Sequence, residues 1–339
     1  MSKLETICML AFAAAVLSPI AAADSYQAEL SGIELLSKMS LDQRSTKRFV
    51  LDFDCSCSTD DVKARAEQLA ERVGWKIGDQ HMTKLGDHRL GYRNEKDPSA
   101  SFEMDTRSGS FLFNGGFARY REDEETPGLP EEGRILKIAL ESLDELGLLP
   151  DEAEFASIKE GGVSLGVLEK DGSTSIYRKL VTLRITRQID GLRVMGDSRI
   201  VVHLGADSQL AGLVYQWPEI GEGKELAPSE LRAIVDLQTA AESRLRAASL
   251  GADRVDITQV ELVGYDDGRG IIEPAFHVEA QLYYTDRVGR EGKEYAYDVP
   301  FDFYVPIAKT PLAYYPSMER APIAPFDGRR VKAMPGDNE

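Results

Sequence analysis

Two cysteines two residues apart, Cys55-Ser56-Cys57, are the most chemically suggestive feature of this sequence. In an extended chain such residues point to the same side. Two thiolates so placed can hold a soft metal such as Cu(I), or the pair can close a disulfide. The motif stands just before a helix start, whose N-terminus lowers a thiol pKa, while Asp52, Asp54, Asp60 and Asp61 oppose that effect. The spacing is not Cys-x-x-Cys, and no Met-rich or His-rich run adjoins it. A structural disulfide or a pair of buried thiols is the ordinary expectation, with redox or metal function at Cys55 and Cys57 the alternative.

The run Gly162-Val163-Ser164-Leu165-Gly166 matches G-x-S-x-G, the hydrolase nucleophile elbow. That elbow needs a strand turning sharply into a helix. Here Val167-Leu168-Glu169 extends a strand toward Lys170-Asp171-Gly172, so a Gly-flexed strand is the better expectation and Ser164 the weaker one. The histidines are His81, His88, His203 and His277. None forms an i, i+4 or His-x-His pair, so a zinc enzyme is poorly supported. Acidic clusters at Asp52/Asp54/Asp60/Asp61, at residues 122–125 and at Asp266/Asp267 match no EF-hand spacing and read as solvated loops. Tyr283, Tyr284, Tyr295, Tyr297, Phe301, Phe303 and Tyr304 alternate along two predicted strands, one face of which is core. No enzyme activity and no cofactor are expected.

Charge narrows the partners. The chain has 339 residues, with 40 Lys plus Arg against 57 Asp plus Glu and a net charge of -17. Nucleic acid and anionic lipid both require a basic footprint. Residues 1–23 read as a secretory signal: Lys3, an apolar run over residues 7–20, then Ala21-Ala22-Ala23 for cleavage. The alternative is a retained anchor. No later stretch is long and apolar enough to span a bilayer. The mature chain is expected to be periplasmic or secreted, without membrane insertion after cleavage.

The elements that must position these residues recur in one order, a helix and then several strands. The first helix follows Ser58, with Asp61 three residues on as a capping box. Its apolar face is Val62, Ala66, Leu69, Ala70 and Val73. Strands are predicted before it at Phe49, Leu51 and Phe53, and after it over 86–93, 100–105 and 110–114. A linker at 121–130 precedes a second helix beginning near Pro130, with Ile135, Ile138, Ala139, Leu143 and Leu146 inward. Strands follow over 157–169, 176–189, 193–204 and 209–217, with Asp190-Gly191 the strongest hairpin turn. A second linker, 219–228, leads to a third helix capped by Ser229, then strands over 255–265, 271–286 and 294–306. Six prolines crowd the segment from Pro306 onward. The pattern predicts an α+β fold.

The stretch from Tyr177 to Trp217 has a recognisable form. A strand carrying Leu183, Ile185 and Gln188 meets Asp190-Gly191 and continues as Leu192-Arg193-Val194-Met195-Gly196-Asp197-Ser198. An apolar run, Ile200-Val201-Val202-His203-Leu204, and a second strand at Leu210 to Val214 follow. This resembles the PepSY and thermolysin/fungalysin propeptide (FTP) modules of exported bacterial proteins. The resemblance, clear over 177–217 and looser over 130–306, implies a helix packed on an antiparallel sheet in PepSY/cystatin-like modules; the repeated pattern divides the chain into 24–121, 130–218 and 228–306, three modules or two with extensions, with 307–339 a Pro-rich extended tail. It also implies a non-catalytic inhibitor, chaperone or regulator. The chain contains no His-Glu-x-x-His, so the implied partner is a separate envelope or secreted protein such as a protease. The surface expected to meet it is the hairpin region of Gln188, Asp190, Gly191, Gly196 and Trp217.

Overall fold

The computed structural model describes residues 28–41, 46–53, 55–75, 82–94, 96–151, 155–168, 173–249, 251–288 and 293–315. The signal-like residues 1–23, His81 and the last part of the Pro-rich segment, 316–339, lie outside the described residues.

Three helices form where apolar spacing predicts them. Helix α1 (Thr59–Arg72) begins at Ser58, whose Oγ accepts the Asp61 N–H while the Asp61 carboxylate accepts the Ser58 N–H. Helix α2 (Ile135–Glu145) starts five residues after Pro130 rather than beside it. Helix α3 (Ile234–Ala248) starts after Ala233 and not at Ser229. The reason is competition for backbone groups. Arg232 N–H donates to Ile307 O (2.9 Å) and Lys309 N–H to Glu230 O (2.8 Å), so residues 230–232 are bonded to the C-terminal segment and unavailable to a helix.

The strands are β1 (Glu29–Ser31), β2 (Lys47–Asp52), β3 (Thr83–Lys84), β4 (Arg89–Arg93), β5 (Ala100–Asp105) and β6 (Phe111–Gly115). Next come β7 (Phe155–Leu168), β8 (Thr174–Ile189), β9 (Leu192–Gly196), β10 (Arg199–Leu204), β11 (Leu210–Gln216) and β12 (Glu219–Glu225). The last three are β13 (Arg254–Asp266), β14 (Ile271–Val288) and β15 (Lys293–Pro306). All 15 join one mixed sheet in the order β12-β2-β14-β13-β9-β8-β10-β11-β6-β5-β4-β3, with β1 on β13, β15 on β14 and β7 on β8.

This overturns the expected α+β fold of repeated helices on antiparallel sheets. The molecule is mostly β, and strands from all three predicted segments share one sheet. A local helix-then-strands pattern cannot show which strands pair at a distance. Here β6 pairs with β11, and β2 pairs with both β12 and β14. Parallel pairs of β1 and β9 with β13 make the sheet mixed.

The sheet has two halves, each with its own core. In the first, α1 and α2 cover one face, burying Leu69, Leu143, Phe102, Phe113, Leu183, Ile185, Ile200 and Leu213. In the second, α3 and a short 3-10 turn cover one face, burying Leu237, Leu245, Val255, Val278, Phe303 and Val305. Each such side chain contributes roughly 1.5–3 kcal/mol on burial. Strand β9 ties the halves together. Residues 307–315 continue the second half rather than leaving it: Ile307 and Ala308 are buried, as are Ala313 and Tyr315.

Candidate functional site

Strand alternation decides what the uncovered faces carry. With Leu183, Ile185, Ile200 and Val202 turned into the first core, their neighbours Arg184, Thr186, Arg199 and Val201 lie on the opposite face. In the second half, Phe276, Val278 and Ala280 face α3, which leaves Glu273, Ala275, His277 and Glu279 on the other side. A cleft of about 660 Å³ opens on the helix-free face of the first half, floored by Leu112, Val214, Gln216 and Arg199 and rimmed by the loops at 105–110 and, from the second half, 266–269.

The cleft's charges are held in pairs. Arg89 donates to Glu103 at 2.9 Å, Arg107 to Asp105 at 3.4 Å, and Arg199 lies 3.6 Å from Asp197. Burial works against charge on Asp105, yet the N–H groups of Arg107 and Ser108 and the Arg107 guanidinium together hold its carboxyl below the usual range. Asp266 shows the opposite balance. It is 2% exposed, and burial pushes its carboxyl up despite bonds from Ser198 Oγ–H and Gly268 N–H (2.9 Å). The Oε1 of Gln216 is buried with no hydrogen-bond partner. Across the cleft Arg269 lies over the Tyr314 ring at 4.0 Å.

Cys55 and Cys57 form a disulfide with a Cα–Cα separation of 5.1 Å. Their loop is bonded to the cleft rim: Cys55 N–H donates to Arg107 O (2.7 Å) and Cys57 N–H to Thr106 O (3.1 Å). Cys55 is exposed and Cys57 half-buried.

The hairpin residues do not form one surface. Asp190 and Gly191 make the turn with φ of +52° and +79°, and Asp190 pairs with Lys47 at 2.7 Å in solvent. Gln188 pairs with Arg193 beside that turn. Gly196 lies at the other end of β9 with φ +102°, so close to β13 that a Cβ would stand 2.1 Å from Asp266 O. Trp217 is buried, with Phe155 edge-on and the Arg187 guanidinium 4.8 Å above its ring. Strands β9, β10 and β11 are paired on both sides, so the segment from Gly191 to Trp217 offers no free strand edge.

Ser164 lies inside β7 at a bulge opposite Arg178, with no helix following. His203 contacts Thr182 Oγ1 at 3.1 Å, and burial lowers its pKa. His277 is buried, 3.2 Å from Asp302 and stacked on Tyr304 at 4.7 Å; Tyr304 stacks on Tyr265, and Tyr265 on Tyr315. Asp267 caps its own turn and accepts the Tyr314 N–H at 2.9 Å, so the Asp266/Asp267 pair fastens loops. Lys179 Nζ donates to the carbonyls of Glu122 and Glu124, tying down the acidic linker. His88 offers its carbonyl to the Thr106 N–H at 2.8 Å.

Sequence reasoning missed Arg184, Arg199, Gln216 and Arg269. A partial signal was present for the arginines: those at 184, 193 and 199 interrupt strands rich in apolar residues.

No family model matches the chain, and no curated protein matches it. Two solved structures are similar at low identity. An uncharacterised protein from Eubacterium rectale ATCC 33656 is 12% identical with a TM-score of 0.42, over 78% of this chain and 84% of that one. The C-terminal domain of Bacillus megaterium YpeB is 11% identical with a TM-score of 0.33, over 72% of this chain and 98% of that one. At these scores neither likeness carries an argument about what this chain does.

Proposed function

We propose that this chain is an exported, non-catalytic binding module that inhibits, chaperones or regulates a separate envelope or secreted protein, and that the partner binds in the cleft. The observation that carries this reading is the cleft itself: the helix-free face of the first half and the loops at 105–110 and 266–269, with paired charges around about 660 Å³, within the range of ligand-binding clefts. Residues 1–23 and the PepSY/FTP resemblance over 177–217 support export and protein binding. The site differs from the hairpin expected on sequence because Trp217 is buried and the neighbouring strands have no free edge.

A photocrosslinking amino acid at Leu112, a cleft residue 44% exposed, tests the reading against one at Val235 on α3, 64% exposed. With the native envelope and secreted fraction, the Leu112 probe is expected to give one discrete protein adduct and the Val235 probe none. Equal labelling from both positions, or none from Leu112, overturns it.

A second reading, disulfide exchange with a partner, is favoured by the exposure of Cys55 beside the cleft rim. A Cys55–Cys57 bond that stays intact under a graded series of dithiol buffers would rule it out.

A further inference from the structure

We infer that Arg184, Arg193 and Arg199 form an anion site between the two half-sheets, and that it receives a carboxylate of an acidic segment of the partner polypeptide. The partner half of this inference rests on the binding-module reading; the anion site does not.

Register places the three guanidiniums together. Arg184 is opposite Val201 and Arg199 opposite Thr186, so the two arginines occupy diagonal positions on one face of the β8–β10 pair. Arg193, opposite Gln188 on β9, belongs to the same face of β8.

Their partners do not balance them. Arg193 is bonded to Glu261, but its Nε is buried with no acceptor. Arg199 donates to Gly196 O at 2.7 Å and lies 3.6 Å from Asp197. No hydrogen bond or ion pair to a described residue satisfies the Arg184 guanidinium. Three cations therefore face two carboxylates, in a chain where acids outnumber bases 57 to 40. Arg184 is exposed, but partial desolvation on the sheet face and the nearness of Arg199 and Arg193 act in one direction, lowering its pKa from the ordinary value. A bound anion relieves that repulsion, and the guanidinium fork matches a carboxylate in two parallel bonds.

Gln216 identifies the rest of the ligand. It is the register partner of Arg199 on β11, and its Oε1 is buried and unpartnered. That oxygen needs a donor. A polypeptide supplies one in its backbone N–H, whereas a free inorganic anion supplies little. Arg199 and Gln216 both line the cleft of about 660 Å³, so the anion site adjoins it through Arg199. The net charge of -17 opposes approach from afar, but at physiological salt this repulsion is screened beyond about 8 Å.

The test uses the whole mature chain, residues 24–339, and a fluorescent decaglutamate peptide, with inorganic phosphate as a separate ligand. Saturable decaglutamate binding is expected, weakened about tenfold or more by Arg184→Gln and partly restored by Arg184→Lys. Matched urea midpoints would show that both variants fold. Decaglutamate binding unchanged by Arg184→Gln overturns the site while leaving the binding-module reading standing. Phosphate binding that depends on Arg184, without decaglutamate binding, overturns the peptide assignment. Binding of neither ligand overturns the site altogether.

Discussion

Replacing Gly196 by Ala is the sharpest probe of the junction between the two halves. Its φ of +102° is one that only glycine adopts freely. Forcing Ala there costs about 1–2 kcal/mol for conformation alone. The Cβ would also lie 2.1 Å from the Asp266 carbonyl oxygen, which is backbone and cannot swing aside. Strand β9 must then move off β13, weakening the pairs Val194↔Gly264, Met195↔Tyr265 and Gly196↔Asp266. Losing about two of those hydrogen bonds adds roughly 1 kcal/mol each, for a total of about 3–4 kcal/mol. Gly191→Ala is the control. It too has a positive φ, +79°, but a Cβ there meets nothing within 4 Å, so only the conformational cost applies. Urea denaturation of the two variants isolates the contact contribution by difference. Hydrogen exchange at Met195 and Asp197 should quicken in Gly196→Ala alone. If the two variants lose equal stability, the close approach of β9 to β13 is wrong, and with it the geometry of the cleft.

Three other outcomes follow from the contacts. Glu273 is fully buried, bonded to Arg48 and accepting the N–H groups of Leu312 (3.1 Å) and Ala313 (3.2 Å). Glu273→Ala should cost about 3–5 kcal/mol by leaving Arg48 uncompensated, and should open residues 309–315 to proteolysis; an unaltered cleavage pattern would count against the clamp. The Cys55–Cys57 bond closes a loop of only three residues, so replacing both by Ser should cost about 1.5 kcal/mol in the chain-entropy account. Thiol titration of the unreduced mature protein should find neither cysteine free, and one reactive thiol would contradict the bond. Asp266 has its carboxyl raised above 3.8 by burial, so the folded state holds that proton more tightly than the unfolded chain does. Its contribution therefore favours folding below about pH 3.8 and is lost as pH rises through the folded value. Asp266→Asn should gain stability over wild type at pH 7 and none at pH 3.5; an equal difference at both would refute the assignment.

Much of the local structure was legible in the sequence. The capping box at Ser58 and Asp61, the positive-φ turn at Asp190-Gly191 and the two-residue alternation in β8, β10 and β14 are all rules of neighbouring residues. What failed were statements about distant ones. Nothing in residues 110–114 says that they pair with 210–216, and nothing in 47–52 says that they pair with 219–225 and 271–272. The start of α3 was misplaced for the same reason, since the rival for the backbone bond of Arg232 is distant in sequence, at Ile307. The site was hidden by a related limit. Arg184, Arg193 and Arg199 stand on three different strands, and only the pairing of β8 with β9 and β10 brings them to one face.

The charges of the cleft need an account other than stability. Two sheet faces brought together to stabilise a molecule are apolar, as the α1–α2 face is, with Phe102, Leu183 and Ile200 fully buried. Here the first half's helix-free side and its adjoining loops present Arg89 with Glu103, Arg107 with Asp105 and Arg199 with Asp197, around open space. Half-exposed pairs of this kind contribute only about 0–1 kcal/mol each, so stability does not account for their presence. What they do accomplish is to fix guanidinium groups in place, which would lower the ordering cost of binding the proposed partner. The helices cover the outer faces, the strands hold the inner ones rigid, and β9 with Gly196 sets the distance between them. A cleft built in this way fits the charged segment proposed above.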